Sequence, residues 1–240
     1  IQVLIMRIPR LYADNFSHAT GEVSLSERNH HYLYRVLRAK PGQMIRLFDG
    51  CGRTGEATVK AISKRETIIE LLTISDSPDR RLPVTLGLAL IKSDRFDWAL
   101  QKATELGVSA IQPIITQFTD SPPKADRLEK KWSHWQEILV NACEQSENNW
   151  LPVLREPRQL NELELPEQKI VAHPATDSVK INPDHEALLL VGPEGGFSNA
   201  ELDVLQKKQV KPMSLGPRIL RTETAAIVGL TLLGQQYGQY

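Results

Sequence analysis

Cysteine is scarce in this sequence, and long hydrophobic runs are missing. The two cysteines, Cys51 and Cys143, lie far apart and in no metal-ligand spacing. This usage predicts a reduced, cytoplasmic compartment and no metal site. No apolar run approaches the ~20 residues of a bilayer-spanning helix, so no membrane segment is expected. Residues 1–5 lack the features of a signal peptide, and they look like an extension upstream of Met6.

An excess of charge of either sign is also missing. The 29 Lys and Arg residues balance 29 Asp and Glu residues, which gives no support for a general nucleic-acid-binding protein. The first fifty residues nevertheless hold more basic than acidic side chains, among them Arg7, Arg10, Arg35 and Arg38. On charge alone, an ordinary solvated face is the favoured explanation.

Residues 6–74 are expected to form a small, mostly β unit, with strands near 6–12, 44–48, 55–62 and 67–74. A short helix is predicted from Ser26 to Arg38. Its apolar residues Leu33, Val36 and Leu37 are expected to face inward. The polar stretch 75–83 contains two prolines and is the predicted linker.

From residue 84 the pattern changes to strands that alternate with helices. Strands are predicted at 84–91, 110–115, 169–172, 188–191 and 213–215, and helices from about 93, 125, 198 and 222. Residues 152–168 are predicted to be irregular. The alternation indicates an α/β domain with a mostly parallel sheet and helices on both faces.

The stretch 188–226 contains two apolar runs, each of which ends at a glycine-containing loop and is followed by a helix. Ser198 and Glu201 have the spacing of a capping box after the first loop. If the two loops follow neighbouring strands, they form a crevice of the kind in which open α/β sheets bind ligands.

The GPEGG loop, 192–196, does not match a phosphate-binding motif. It has no G-x-G-x-x-G spacing and no following lysine, and Pro193 removes a backbone donor. Such a loop suits a small organic ligand that is contacted by backbone groups. A tight turn into a helix is the alternative explanation.

Two arginines, Arg218 and Arg221, precede the last helix in the segment RILRTETA. Arginine at the edge of a crevice suits phosphate or a developing negative charge. The alternative is a helix that Thr222 or Thr224 caps, with solvated arginines. His173 and Glu144 would each be structural if taken alone. We find no Ser-His-Asp or Cys-His arrangement.

Taken together, these motifs resemble the bacterial ribosomal RNA small-subunit uridine-N3 methyltransferases, which belong to the knotted SPOUT methyltransferase superfamily. The matching segments run almost end to end. They are MRIPRLY (6–12), RVLR (35–38), PGQMIRLFDG (41–50), QKATELGV (101–108), IQPI (111–114), NACEQS (141–146), AHP (172–174), LVGPEGGFS (190–198) and LGPRILRTETA (215–225). GPEGG and LGPRILRTETA at this spacing are the most specific pair.

The resemblance implies a PUA-like RNA-binding β-barrel at 6–74 and an α/β SPOUT domain with a deep trefoil knot at 84–240. It also implies a cytoplasmic homodimer that binds S-adenosylmethionine (SAM) and acts on 16S ribosomal RNA or the small subunit. By motif match, the cofactor-binding residues are Ala172, His173, Pro174, Leu190, Val191, Gly192, Pro193, Glu194, Gly195, Gly196, Leu215, Gly216, Ile219, Leu220, Arg221, Thr222, Glu223, Thr224 and Ala225.

The implied reaction is methylation of uridine N3. Arg221 is the expected stabiliser of charge on the uracil, and either Glu144 of the partner subunit or Glu223 is expected to accept the proton. The resemblance also raises the expectation that Arg7, Arg10, Arg35 and Arg38 bind RNA.

Two arginines that are usual in the family are replaced here, by Asn148 and by Phe118. Both arginines could have met RNA or the partner's active site, so their replacement bears on the RNA target and not on the cofactor. The alternatives are methylation of a ribose 2′-hydroxyl or of another base, or a non-catalytic RNA-binding assembly factor.

Overall fold

The structure, a computed structural model, describes residues 8–14, 16, 20–119, 125–173 and 179–240. The chain folds as two compact units. Unit 1 comprises Ile1–Asp79 together with Cys143–Leu151, and unit 2 comprises Arg80–Ala142 and Pro152–Tyr240. Within the described ranges, no helix is both long and apolar enough to cross a membrane.

Unit 1 is built on a five-stranded sheet in its described part, with the order β1-β3-β4-β5-β2. Only the β1–β3 pair is parallel, and the other neighbours are antiparallel. The strands are β1 Arg10–Tyr12, β2 Gly21–Ser24, β3 Met44–Phe48, β4 Arg53–Ile62 and β5 Thr67–Asp76.

The core of unit 1 follows the two-residue period of these strands. Ile45 and Leu47 of β3 are buried, whereas Arg46 between them is exposed. Ile69 and Leu71 of β5 join the same cluster. The sequence predicted β3, β4 and β5 closely because alternation of this kind is a local signal. It did not predict β2.

The predicted helix at 26–38 has a different form in the structure. It consists of α1 (Glu27–His31) followed by a π-helical turn at Tyr32–Val36. Leu33 is buried, but Val36 and Leu37 are exposed, so the predicted inward face is wrong for these two residues. The wider π turn changes the angular spacing of side chains and turns Val36 and Leu37 to solvent.

Unit 2 is built on a parallel sheet. Its strand order is β12-β10-β11-β6-β7-β8, with β9 also paired to β7. Every pair named here is parallel, which confirms the predicted sheet type. The strands are β6 Leu82–Ala89, β7 Val108–Ile115, β8 Val153–Leu154, β9 Arg158–Gln159, β10 Gln168–Ala172, β11 Ala187–Val191 and β12 Lys211–Met213.

Besides α1, the described residues form four longer helices. They are α2 Ser93–Glu105, α3 Ala125–Ser146, α4 Asn199–Lys207 and α5 Thr222–Gln236. The last turn of α3 belongs to unit 1, as does the segment that follows it. Residues 152–168 were predicted to be irregular, but they contain β8, β9 and a 3₁₀ turn at Leu160–Glu162.

Strand β11 is covered by helices on both faces. Leu188 and Leu190 pack in one cluster with Leu205 of α4. On the other face, Gly229 of α5 lies so close that an added Cβ would be 2.7 Å from Leu189 Cδ2. All five residues of β11 are buried, as the continuous apolar run predicted.

The predicted linker is shorter in the structure. Strand β5 extends to Asp76 and β6 begins at Leu82, so that residues 77–81 lie between the two strands. Strand β6 includes Pro83, which was predicted to belong to the linker.

Candidate active site

Three neighbouring strands of unit 2 end at the same edge of the sheet. Strand β10 lies between β11 and β12, and the three are parallel. The sequence had suggested that the two glycine loops follow adjacent strands. This is wrong, because β10 lies between β11 and β12. The backbone N–H of His173, just after β10, donates to the carbonyl of Met213 at 3.0 Å. This bond holds the ends of β10 and β12 together.

The segments that follow these strands enclose a cleft of about 270 Å³. Its lining comes from three separate parts of the chain, which is typical of ligand sites at the strand ends of open α/β sheets. The lining residues are Ala172, His173, Val191, Gly192, Pro193, Glu194, Gly196, Phe197, Leu202, Leu215, Gly216, Arg218, Ile219, Leu220, Thr222 and Ala225.

The GPEGG loop forms a tight turn before α4. The N–H of Gly196 donates to the carbonyl of Pro193 at 2.8 Å, and Gly196 has a φ of +71° that favours glycine. The predicted capping box is present: Ser198 Oγ accepts the N–H of Glu201 at 3.3 Å, and Glu201 Oε2 accepts the N–H of Ser198 at 2.8 Å. The first turn of α4 is therefore satisfied locally, and it fixes the exit of the loop.

Side chains from elsewhere in unit 2 hold the loop in place. Arg95, in the first turn of α2, forms an ion pair with Glu194 at 2.7 Å. An added Cβ on Gly195 would lie 3.3 Å from Cβ of Phe118, and one on Gly192 would lie 3.1 Å from Cε2 of Phe197. The backbone at both glycines is thus packed against an aromatic side chain. Phe118, where the family resemblance implied an arginine, thus supports the loop.

The segment between β12 and α5 forms the opposite wall of the cleft. Gly216 adopts a φ of +105°, again a conformation that favours glycine. The side chain of Ile219 is 91% exposed, although it is large and apolar. Arg218 is also exposed and lines the cleft.

Helix α5 begins at this wall without a side-chain cap among the described residues. Arg221 is the N-cap residue, and Thr222 is the first residue of the helix. The prediction that Thr222 or Thr224 caps the helix is therefore wrong, since both lie inside the first turn. The amide groups of that turn lack intrahelical partners and carry the positive end of the helix dipole. Thr222 and Ala225 present this end of the helix to the cleft.

Two buried polar atoms of the motif residues have no hydrogen-bond partner in the part of the chain that the structure describes. They are Nδ1 of His173 and Oε2 of Glu223. An unsatisfied buried polar atom costs about 1–3 kcal/mol, so it usually marks a place where a ligand or another group completes the bond. His173 lines the cleft, and Glu223 follows the lining residue Thr222.

Most of the residues expected to bind the cofactor line this single cleft. Leu190 lies instead in the buried strand β11, and Gly195, Arg221, Glu223 and Thr224 are outside the lining. Pro174 is outside the described residues. The sequence missed Phe197, Leu202 and Arg218 as lining residues, although Phe197 directly follows GPEGG and Arg218 lies within the second motif.

Glu144 and Asn148 lie in unit 1. Oε1 of Glu144 is 2.9 Å from Nη1 of Arg28, and it accepts the backbone N–H of Tyr12 at 2.9 Å. The family resemblance implied an arginine at Asn148 as well, and Oδ1 of Asn148 accepts the N–H of Trp150 at 3.1 Å. Both side chains thus contribute to contacts within unit 1.

Arg10 is a structural residue of unit 1. Its guanidinium donates to the carbonyls of Cys143 at 2.5 Å and Asn148 at 3.0 Å, and also to the side chain of Asn149. It lies 4.0 Å from the centre of the Phe48 ring. Burial lowers the pKa of this guanidinium. The planar face and several N–H donors of Arg10 are therefore occupied by contacts within unit 1.

The other arginines predicted to bind RNA differ in position. Arg35 and Arg38 are exposed on unit 1, and neither forms an ion pair with a described residue. Arg7 is outside the described residues.

Comparison with known proteins gives two family matches on this chain. Residues 78–234 match the RNA methyltransferase domain family, and residues 25–72 match the RNA methyltransferase PUA domain family. The chain thus contains an RNA methyltransferase domain and a PUA domain.

Several relatives are similar over nearly the whole chain. The ribosomal RNA small subunit methyltransferase E of Buchnera aphidicola is 32% identical over 97% of this chain and 98% of its own. The Neisseria gonorrhoeae enzyme of the same name, crystallised with S-adenosyl methionine, is 32% identical with a TM-score of 0.86, covering 96% of this chain and 98% of its own. A Legionella pneumophila methyltransferase in complex with SAM is also 32% identical, with a TM-score of 0.87 over 95% of this chain and 98% of its own.

The chain belongs to the ribosomal RNA small subunit methyltransferase E family. The resemblance drawn from the motifs is thereby confirmed.

Proposed function

We propose that this protein transfers the methyl group of SAM to N3 of a uridine in the 16S RNA of the small ribosomal subunit. One observation carries the proposal: the segments after β10, β11 and β12 converge on one cleft, and they include both motifs that are specific to the family. A ribosomal RNA substrate places the reaction in the cytoplasm.

The chemistry of the cleft lining suits the cofactor. Phe197, Leu215 and Leu220 give it an apolar lining for a flat ring. The uncapped first turn of α5 and the unsatisfied Nδ1 of His173 offer polar partners. The loop lacks a lysine after its glycines, which agrees with a ligand without phosphate. When bound, SAM supplies a methyl group that its positive sulfonium activates.

The protein's part in the reaction is to align and deprotonate the uracil. Uridine N3 lies on the Watson–Crick edge, so the base must be unpaired before it enters the site. The removal of its proton leaves negative charge on the two uracil oxygens. Arg221 is exposed and lies between the lining residues Leu220 and Thr222. We assign it the stabilisation of that charge.

Between the two candidate proton acceptors, the contacts favour Glu223. The carboxylate of Glu144 already accepts hydrogen bonds from Arg28 and from the backbone of Tyr12. Protonation of Glu144 would weaken both bonds. Oε2 of Glu223 has no partner among the described residues, and Glu223 follows the cleft-lining Thr222 in the sequence. The proton on uridine N3 would pass to this oxygen.

The proposal includes a trefoil knot in unit 2, a PUA-like barrel in unit 1 and a homodimer, all of which the family resemblance implies. The connection through α4 from β11 to β12 crosses β10, and the knot itself rests on the family resemblance. Register shifts in the β4–β5 pair support the barrel because bulges bend strands. RNA contact is assigned to Arg35 and Arg38, and Arg10 is left out because its guanidinium is used internally.

The test is methyl incorporation by the purified protein from labelled SAM. Two substrates are compared, naked 16S RNA and small subunits, both from cells that lack this enzyme, and the modified nucleoside is mapped by mass spectrometry. We expect 3-methyluridine at one position. Detection of a ribose 2′-O-methyl group or of another methylated base would contradict methylation at N3. If no methyl group is incorporated and calorimetry detects no SAM binding, the alternative function of an RNA-binding assembly factor is favoured.

A further inference from the structure

The π-helical turn at Tyr32–Val36 exposes apolar side chains next to arginines. Val36 is 60% exposed, and Tyr32 and Leu37 are each 36% exposed. A regular helix with this sequence would turn Val36 and Leu37 toward the core beside Leu33. π turns are rare and occur often at functional sites. The exposed group therefore calls for a functional explanation.

Three flat side chains in the same segment form a stack. The rings of His30 and Tyr34 are 5.6 Å apart and inclined by 22°. The guanidinium of Arg35 lies over the Tyr34 ring at 5.3 Å from its centre. Nδ1 of His30 is 2.9 Å from the hydroxyl of Thr67, the first residue of β5. This contact ties one end of the stack to the sheet, whereas Arg35 remains exposed.

The segment ends at an arginine in an unfavourable backbone conformation. Arg38 has a φ of +50°, and the N–H of Ala39 donates to the carbonyl of Leu33 at 2.9 Å across it. Glycine would adopt this conformation without steric cost. Arg38 keeps this conformation despite its steric cost, as Glu147 and Gln209 also do. Like Arg35, it has no ion pair with a described residue.

We propose that His30, Tyr34 and Arg35 form a platform on which an unpaired base of the substrate RNA stacks, and that Arg38 binds an adjacent phosphate. The inference rests on the proposed function, which makes RNA the ligand. Unpaired RNA bases stack on aromatic rings and on guanidinium planes, and arginines pair with phosphates. The exposed cations favour RNA over a protein partner as the occupant of this surface.

The platform gives Arg35 and Arg38 different chemical roles, which lysine and alanine replacements separate. Arg35→Lys keeps the charge but loses the flat guanidinium. We expect it to weaken binding of a single-stranded oligouridine roughly tenfold, as for the loss of one stacked base, with the salt dependence unchanged. Arg38→Ala should weaken binding and also reduce the slope of log K against log salt by about 0.7, the value for one phosphate on a single strand.

The measurement uses the full chain and an oligouridine that carries one 2-aminopurine, whose fluorescence is quenched on stacking. Arg35→Lys should reduce the quenching at saturation, and Arg38→Ala should preserve it. Arg65→Ala is the matched control because Arg65 is exposed in the turn between β4 and β5 of the same unit. It should change neither affinity nor quenching. Tyr34→Leu, checked for folding by circular dichroism, should behave like Arg35→Lys.

Two results would overturn the platform. One is Arg35→Lys protein that binds and quenches like the parent. The other is loss of small-subunit binding in Val36→Ser protein while Arg35→Lys protein binds normally, which would make the surface a protein-docking site. Methyl incorporation by the parent is measured in parallel. If it occurs, either result removes only the platform; if it does not, the proposed function itself fails.

Discussion

The carboxylate of Glu144 lies 2.9 Å from the guanidinium of Arg28, and it also accepts the backbone N–H of Tyr12. These contacts join the last turn of α3 to β1 and α1 within unit 1. The Glu144 side chain is 13% exposed and that of Arg28 is 33% exposed, so solvent screens the pair only in part. In this arrangement Glu144 is a structural residue, and its candidacy as the catalytic base rests on the family resemblance alone.

Glu144→Ala should therefore destabilise the protein without abolishing the chemistry. Removal of the carboxylate takes one acceptor from Arg28 and the side-chain acceptor from the Tyr12 N–H, which we expect to cost about 1–2 kcal/mol. Thermal unfolding should show a lower transition temperature. Glu144→Gln preserves an acceptor oxygen and should methylate within about twofold of the parent rate. A fall in turnover of about 100-fold or more for Glu144→Gln, with stability unchanged, would restore Glu144 as the base.

Arg10→Ala is expected to lower stability and to leave the salt dependence of RNA binding unchanged. Its guanidinium donates to two backbone carbonyls and to Asn149, so its loss leaves partly buried acceptors unpaired, at a cost of about 2 kcal/mol. Arg10→Lys should recover little of this, because lysine cannot reproduce the planar fork. The measurement is chemical denaturation beside RNA binding at several salt concentrations. A salt slope reduced by about 0.7 or more in stable Arg10→Ala protein would show that Arg10 contacts a phosphate after all.

The sequence was informative where a local pattern determines the structure. Strand β11 and the Ser198–Glu201 capping box follow from a continuous apolar run and a three-residue spacing. The position of β10 between β11 and β12 could not be predicted in this way, because strand order depends on contacts between distant segments.

The same limit applies to two features of unit 1. Arg10 is held by carbonyls more than 130 residues away in the chain, so its sequence neighbourhood does not reveal its structural role. The π turn at Tyr32–Val36 has no periodic signal that separates it from an ordinary helix. The residue patterns alone predicted a crevice at the glycine loops and a backbone-lined ligand at GPEGG, whereas the list of cofactor-binding residues came from the match to a known family.

Gly192→Ala should weaken SAM binding by about tenfold, or about 1.4 kcal/mol. The added Cβ would lie 3.1 Å from the Phe197 ring, which must shift within the cleft wall. Gly192 does not have a positive φ, so backbone strain contributes nothing to the effect. The affinity is measured by calorimetry. The double variant Gly192→Ala, Phe197→Leu should recover part of the loss because the smaller side chain makes room. If the single variant binds SAM like the parent, Gly192 does not shape the cofactor site.

Arg221→Ala should separate chemistry from cofactor binding. Arg221 is exposed at the N-cap of α5 and is not part of the cleft lining, so SAM affinity should stay within about twofold of the parent. Loss of one group that stabilises developing charge typically reduces kcat by about 10²–10³. Arg218→Ala is the matched control, since Arg218 lines the cleft and should affect SAM affinity more than kcat. Single-turnover methylation of small subunits with saturating SAM measures the chemical step, and calorimetry gives the affinity. Unchanged turnover in Arg221→Ala protein would remove this arginine from the mechanism.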